Sequence, residues 1–262
     1  MKIYCMSDIH ACLESFEAAL ENVICHLDED DTMLLLLGDY VHGGDSGRGV
    51  LDKIMHLQEQ YGNDKVMALM GNHEDMVIGG ESTIDSMYGG MQWYDNENAD
   101  DLYISWLSSL PRYYTEGNTI FVHAGIDETV GDMWEWETSD DIYTSKYPAE
   151  TGRIEGLDMK VVAGHVYTSE ISGDSSFNDI YYDGKNHIYI DGDVLSTGVI
   201  PVLMVDTDTD SYYRITDGGC WPLTGHRDYL QQMGNTHSKI SFYYNRLRLA
   251  DLILCTCSKG SA

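Results

Sequence analysis

The segment Thr32-Met33-Leu34-Leu35-Leu36-Leu37-Gly38-Asp39 decides the predicted fold. Five apolar residues follow one another without alternation, and a glycine and a carboxylate come directly after them. A short unbroken apolar run is typical of a strand that is buried on both faces, as in a sheet covered by helices. Asp39 is therefore expected at the carboxyl end of that strand, where open α/β sheets place their ligands.

Other apolar segments of the chain end in the same way. Residues 2–6 precede Asp8 and His10, residues 65–70 precede Asn72 and His73, residues 119–122 precede His123, and residues 159–163 precede His165. Residues 13–24 and 50–57 have helical spacing, so the first 75 residues have the order β-α-β-α-β. That order indicates parallel neighbouring strands, whose polar ends are expected to meet at one edge.

Length and charge limit the classes of function. The chain has 262 residues, with 15 Lys and Arg against 44 Asp and Glu, which gives a formal net charge of −29. This balance argues against binding to a nucleic acid backbone or to an anionic membrane. No apolar run reaches the length of a membrane span and no signal peptide is evident, so a cytoplasmic location is expected. We expect one domain over residues 1–216 and a C-terminal extension over residues 217–262.

The polar residues at the strand ends suggest a metal site. They are Asp8, His10, Asp39, Asn72, His73, His123 and His165. Carboxylate, imidazole and amide oxygen together suit Mn, Fe and Zn. Each residue alone has an ordinary alternative, since Asp8 could cap a helix and His165 could be a hydrogen-bonded core histidine. Their positions at successive strand ends favour one shared site, and Asp191, at the end of a later segment, is expected to support this site or to line it.

These motifs resemble those of the calcineurin-like metallophosphoesterases. The matching motifs are Asp8-Ile9-His10, Gly38-Asp39, Gly71-Asn72-His73-Glu74, His123-Ala124-Gly125 and Gly164-His165. Within the superfamily, the second and third motifs are similar to the phosphoprotein phosphatase branch, with its bacterial Ser/Thr phosphatases and diadenosine tetraphosphate hydrolases. The resemblance covers roughly residues 1–205. It implies an α/β fold, a four-layer α/β/β/α sandwich with two mixed sheets and a dimetal site at the carboxyl ends of the strands.

The resemblance also implies a ligand set and a reaction. Asp8, His10 and Asp39 would hold one divalent ion, and Asp39, Asn72, His123 and His165 would hold the other. Manganese is the expected metal, with iron and zinc as alternatives. A hydroxide that bridges the ions would attack the phosphorus in line, and His73 would protonate the leaving group.

The chain departs from the branch after Gly-Asp-Tyr-Val. The branch usually continues with Asp-Arg-Gly, whereas this chain has His42-Gly43-Gly44. The missing Asp normally orients the histidine at the position of His73, and the missing Arg normally grips the phosphate. His42 is expected to hydrogen-bond His73, to bind a metal or to be a neutral loop residue. Arg48 could reach back towards the phosphate across the loop. The resemblance also implies a second phosphate-gripping Arg before the strand of the last metal ligand, and Arg153 is the arginine in that region.

Three functions are consistent with these residues. The first is a phosphomonoester hydrolase of the Ser/Thr protein phosphatase type, acting on a phosphorylated protein or a small-molecule phosphoester. The second is a hydrolase of dinucleoside polyphosphates or other phosphoanhydrides. The third is a non-catalytic metal-binding interaction module, since the usual Asp-Arg is His42-Gly43 here.

Overall fold

The computed structural model describes residues 1–86 and 100–228 of the chain. The strands are β1 (Lys2–Met6), β2 (Thr32–Leu36), β3 (Val66–Ala68), β4 (Tyr113–Glu116), β5 (Thr119–Val122), β6 (Lys160–Ala163), β7 (Tyr181–Tyr182), β8 (His187–Tyr189), β9 (Val202–Asp206), β10 (Ser211–Thr216) and β11 (Gly219–Pro222). The α-helices are α1 (Leu13–Leu20), α2 (Gly47–Tyr61), α3 (Asn72–Ile78), α4 (Asp101–Leu107), α5 (Trp134–Glu137), α6 (Asp140–Ser145), α7 (Thr168–Ser172) and α8 (Val194–Thr197). Short 3-10 helices cover Ile24–His26 and Glu128–Met133.

The strands form two mixed sheets. The first sheet has the order β11-β10-β9-β1-β2-β3, and the second has the order β4-β5-β6-β8-β7. In the first sheet β1 pairs in parallel with β2, and β2 with β3, as the β-α-β-α-β order predicts. In the second sheet β5, β6 and β8 are parallel, whereas β4 and β7 pair antiparallel at the edges. The predicted α/β class with two mixed sheets is confirmed.

Three apolar cores separate four layers. Leu34 and Leu36 of β2 face the helix side of the first sheet, in a core that also contains Phe16 of α1. Met33 and Leu35 face the second sheet, in a core shared with other residues of both sheets. A third core, with Trp134 and Tyr143 among its members, covers the far face of the second sheet. Because side chains alternate along a strand and both faces of β2 are covered, residues 33–36 are all apolar, which explains the unbroken run and confirms the predicted α/β/β/α layers.

The predicted domain boundary falls inside a hairpin. β11 pairs antiparallel with β10 and forms an edge of the first sheet, so residues 219–222 of the predicted extension belong to that sheet. The remainder of the extension, from residue 229 onwards, lies outside the described residues. None of the helices in the described ranges has both the length and the apolar character needed to cross a bilayer.

A buried ionic network surrounds His187 at the amino-terminal end of β8, whereas Asp191 follows the carboxyl end of the same strand. His187 is 1% exposed, and its Nδ1 lies 2.9 Å from Asp183 Oδ2 while its Nε2 lies 3.1 Å from Glu128 Oε1. Lys146 Nζ donates to the same Glu128 oxygen at 2.7 Å. Burial lowers the pKa of His187, but hydrogen bonds to the two carboxylates outweigh it and raise that pKa to about 9.

The raised pKa of His187 predicts how the free energy of unfolding changes with pH. Because the pKa of His187 is higher in the folded chain than in the unfolded chain, its contribution is complete below about pH 6.5 and is lost as pH rises through about 9. We expect His187→Gln to lower the free energy of unfolding by roughly 3 kcal/mol more at pH 6 than at pH 10. Denaturant unfolding of both proteins at the two pH values measures this difference, and His56→Gln, at an exposed position of α2, is the matched control. A cost of His187→Gln that is equal at both pH values would contradict the assignment.

Candidate metal centre

Five strands from both sheets end beside the candidate site. β1, β2 and β3 lead to Asp8, Asp39 and Asn72, whereas β5 and β6 lead to His123 and His165. The two sheets are joined at this rim, since the His165 backbone N–H donates to the two carboxylate oxygens of Asp8 at 3.2 and 3.0 Å. The fold therefore brings together residues that are as far as 157 positions apart in sequence.

The backbone of this rim is strained. Positive φ angles occur at Asp8 (54°), His10 (48°), Ala11 (58°), Asp39 (58°), His42 (67°) and His165 (65°). Such a conformation costs of order 1–3 kcal/mol at a residue other than glycine, and it persists where the surrounding structure imposes it. Strain of this kind clusters at active sites and ligand clamps, which is a first indication that the rim is functional.

Asp39 is the central residue of the rim. Its Oδ2 lies 3.8 Å from His10 Nε2 and 3.7 Å from His73 Nε2, whereas its Oδ1 lies 3.4 Å from His123 Nε2. Two groups of potential metal ligands result, one of His10, Asp39 and His73 and the other of Asp39, His123 and His165, each with donor atoms within 4.8 Å of one another. Asp39 belongs to both groups: its Oδ2 faces the group that contains His10 and His73, and its Oδ1 faces the group that contains His123.

The donor set fits divalent metal ions. The separations of 3.4 to 3.9 Å are longer than hydrogen bonds, yet they are near the spacing of ligand atoms around one ion with bonds of about 2.1 Å. Asp8 and Asp39 are each 2% exposed, so two carboxylates are buried beside one another, which bound cations would stabilise. His10 Nδ1 and Asp191 Oδ2 are also buried without a hydrogen-bond partner in the described part of the chain. Asp8, His10 and Asp39 would hold one ion, and Asp39, Asn72, His123 and His165 would hold the other.

The orientation of His123 agrees with a ligand role. Its Nδ1 lies 2.9 Å from the Leu37 carbonyl oxygen, which can only accept, so Nδ1 donates and Nε2 faces Asp39 and, at 3.0 Å, Asn72 Oδ1. A backbone partner of this kind fixes the tautomer of histidines that bind metals. Burial lowers the pKa of His123, but Asp39 outweighs it and raises that pKa to about 10. A proton and a metal ion therefore compete for the same Nε2 atom.

Glu74 holds the loop that carries Asp39. It is fully buried, and its Oε2 accepts from the N–H groups of Asp39 at 2.8 Å and Gly71 at 3.1 Å, while Oε1 accepts from the N–H of Tyr40 at 2.8 Å. Burial, followed by the nearby Asp39 carboxylate, raises the pKa of Glu74 to about 7. Glu74 was expected only as part of a motif, with no role of its own. Its contact with Gly71 has a sequence signal, since an acid at the third position of a helix often binds the N–H that precedes the helix, but its contacts with Asp39 and Tyr40 have none.

His42 lies against His73. Their Nδ1 atoms are 2.7 Å apart, so the hydrogen-bonded arrangement is the one observed among the three expected for His42. Burial, followed by the neighbouring His73, lowers the pKa of His42 to about 4. Burial also lowers the pKa of His73, and the Asp39 carboxylate partly opposes this effect.

The two arginines considered as phosphate grips lie elsewhere. Arg48 forms ion pairs with Asp85 and, at 2.7 Å, with Asp100. The Arg153 side chain is 75% exposed and lies 3.4 Å from Asp158. Neither lines the cavity at the site, which corrects the expectation for both, because each guanidinium is directed to an acidic residue of its own surroundings.

The cavity at the site has a volume of about 130 Å³ and a partly apolar wall. Tyr167 and Leu195 line it together with Asp191 and with His10, His42, His73 and His165, and no Arg or Lys of the described residues does so. A Cβ atom on Gly43, which stands where the branch has Arg, would come within 2.7 Å of Leu195 Cδ1. Leu195 thus packs against the backbone at the position of the missing Arg. Sequence reasoning did not find Tyr167 or Leu195, because both follow irregular turns without a periodic signal.

Comparison with known proteins agrees with this architecture. The family model of the calcineurin-like phosphoesterases matches residues 1–196. The chain therefore belongs to the calcineurin-like phosphoesterase family, and the family predicted from the motifs is confirmed.

Part of the chain is similar to symmetrical bis(5'-nucleosyl)-tetraphosphatases. A symmetrical bis(5'-nucleosyl)-tetraphosphatase of Nitrosospira multiformis is 29% identical over 129 residues, which are 48% of this chain and 44% of the relative. The corresponding protein of Pseudomonas syringae is 27% identical over 131 residues, which are 48% of this chain and 42% of the relative. The matched region thus spans less than half the length of these curated relatives.

Solved structures share the fold over more of the chain. A cold-active protein tyrosine phosphatase of a Shewanella species has a TM-score of 0.59 at 17% identity, covering 85% of this chain and 80% of its own. A protein serine/threonine phosphatase of Saccharomyces cerevisiae has a TM-score of 0.55 at 13% identity, covering 85% of this chain and 79% of its own. At these identities the similarity concerns the fold alone.

Proposed function

We propose that this chain is a two-metal phosphoester hydrolase. The observation that carries the proposal is the position of Asp39, whose Oδ1 and Oδ2 face two separate groups of ligands. When bound, two divalent ions supply charge neutralisation for the phosphate oxygens and an activated water. The native metal is proposed to be manganese, with iron or zinc as the alternatives that the donor set allows.

The side chains of the site have distinct roles in this proposal. Asp39 fixes the spacing of the two ligand groups, and Glu74 keeps Asp39 in place through the backbone N–H groups of the loop. His73 Nε2 is directed towards the same centre, and with the ring in its doubly protonated, imidazolium form it would deliver a proton to the departing oxygen. Since no Arg or Lys lines the described cavity, the phosphate charge would be offset by the histidines and by the bound cations.

The leading substrate class is a phosphomonoester on a protein or a small molecule, and one observation favours a second candidate. The histidine expected to act as general acid contacts another imidazole, not a carboxylate. An ionised partner would support a protonated His73 more strongly than a neutral imidazole does. Dinucleoside polyphosphates and other phosphoanhydrides have less basic leaving groups, so a weakened acid would limit their hydrolysis less. The partial matches to the bis(5'-nucleosyl)-tetraphosphatases support the same candidate.

A substrate panel tests the proposal. Purified protein with manganese is expected to hydrolyse p-nitrophenyl phosphate, and the ratio of kcat/KM for diadenosine tetraphosphate and for a phosphoserine peptide decides between the two classes. Asp39→Asn, assayed in parallel, controls for a contaminating phosphatase. Lack of turnover on every substrate with a panel of divalent metals, with metal shown to be bound, would reject the hydrolase and favour the non-catalytic module.

A further inference from the structure

His42 and His73 form a hydrogen-bonded pair at the wall of the cavity. Their Nδ1 atoms are 2.7 Å apart and their ring centroids 4.9 Å apart. A hydrogen bond at this distance needs one protonated nitrogen and one free lone pair. The tautomers of the two rings are therefore coupled, and whatever fixes one ring also fixes the other.

The other end of His42 determines the direction of the hydrogen bond. His42 Nε2 lies 2.9 Å from the Thr83 carbonyl oxygen and 3.0 Å from Ser82 Oγ. Because a carbonyl oxygen only accepts, Nε2 must carry a hydrogen. In the neutral imidazole Nδ1 then has the free lone pair, so it accepts and His73 Nδ1 donates.

The accepting carbonyl is held by a tight turn. The Thr83 carbonyl also accepts from the Ser86 N–H at 3.0 Å, and the Thr83 N–H donates to Ser86 Oγ at 3.0 Å. The Gly43 N–H donates to the Ser86 carbonyl at 3.4 Å, which ties the turn back to the loop that carries His42. The carbonyl therefore has a fixed position from which to orient a ring.

We propose that His42 is a positioning residue that holds His73 in its Nδ1–H tautomer, through a hydrogen-bond chain that begins at the Thr83 carbonyl. His73 Nε2 is then the atom presented to the site, 3.7 Å from Asp39 Oδ2. The role in turnover rests on the proposed function, whereas the tautomer itself does not. His42 thus takes over the orienting task with a neutral ring whose own anchor is the backbone.

The tautomers can be observed directly. In the 262-residue chain labelled with ¹⁵N-histidine and loaded with diamagnetic Zn²⁺, long-range ¹H–¹⁵N correlation spectra separate protonated from unprotonated ring nitrogens. We expect His42 to be protonated at Nε2 and free at Nδ1, and His73 to be protonated at Nδ1. A wild-type spectrum in which His73 has a free Nδ1 and a proton on Nε2 overturns the proposal without any variant.

Substitutions at position 42 separate positioning from packing. His42→Asn keeps an acceptor near the position of Nδ1, so His73 is expected to stay in the Nδ1–H form, and the loss of kcat should be smaller than in His42→Leu. His42→Leu removes the acceptor, so both tautomers of His73 should appear and kcat should fall by about 10- to 100-fold, the usual cost of losing an orienting partner, with little change in KM. Ser82→Ala should leave the tautomer unchanged, because the Thr83 carbonyl remains.

The outcomes are distinguishable from failure of the proposed function. A wild-type protein with the expected tautomers but without phosphoester hydrolysis would reject the function and retain the positioning role. Equal kcat values for folded His42→Leu and wild type, with an unchanged His73 spectrum, would reject the positioning role and retain the function. Circular dichroism of each variant establishes that it is folded.

Discussion

Replacing Asp39 with Asn is expected to remove at least one bound ion and to lower kcat by roughly 10³-fold or more. Metal ions supply several kcal/mol of charge stabilisation in such reactions, and each 1.36 kcal/mol is about tenfold in rate. The effect is large because Asp39 belongs to both ligand groups, with Oδ2 facing His73 and Oδ1 facing His123. Metal analysis after gel filtration and turnover of p-nitrophenyl phosphate measure the two effects.

The matched control for this variant is Asp45→Asn, which makes the same chemical change at an exposed position of the following loop. It should retain both ions and the wild-type rate. If Asp39→Asn retained two ions per chain with wild-type affinity, Asp39 would not be the shared ligand. The assignment of both groups would then fail, since they have only this residue in common.

Replacing His73 with Asn is expected to keep both ions and to slow turnover of an alkyl phosphate by about 10²-fold or more, the usual size of general acid catalysis. The loss should be smaller for p-nitrophenyl phosphate, because its leaving group needs little help from a proton. Steady-state rates with both substrates, together with metal analysis, measure this difference. The substitution does not alter the backbone N–H of residue 73, which donates to Asp39 Oδ1 at 3.1 Å.

A different result would assign His73 another role. Its Nε2 lies in the same ligand group as His10 and Asp39, so the geometry also permits it to bind a metal. Loss of an ion in His73→Asn, or an equal loss of rate on both substrates, would indicate a ligand and not an acid. His56→Gln, which removes an exposed imidazole from α2, should change neither the metal content nor the rates.

The fold was predictable from sequence where local pattern and burial agree. β2 is apolar at successive positions because Leu34 and Leu36 face helices while Met33 and Leu35 face the second sheet. The positions of the polar strand ends followed from parallel pairing, which places the carboxyl ends of neighbouring strands together. The last edge strand, β11, was missed, because its four residues carry no clear alternation.

The site was predictable only in part. The convergence of the strand ends depends on topology, which the order of elements indicates. Glu74 accepts from the backbone N–H groups of Tyr40 and Asp39, which are 34 and 35 positions away in the sequence. Backbone groups are present at almost every position, so these long-range contacts leave no trace in the sequence. The ion pairs that direct Arg48 and Arg153 elsewhere also depend on loop geometry. The same is true of Tyr167, which precedes α7, and of Leu195 in the short helix α8, since both reach the cavity from segments too short to give a periodic pattern.

The central claim is that Asp39 is shared by two metal ions, and its most direct test is anomalous diffraction from crystals grown with manganese. The account predicts two anomalous peaks about 3.5–4 Å apart, one on each side of the Asp39 carboxylate. The first peak should lie beside Asp8 and His10, and the second beside Asn72, His123 and His165. A single peak, or peaks that do not contact Asp39 in a protein shown to contain bound manganese, would contradict the account.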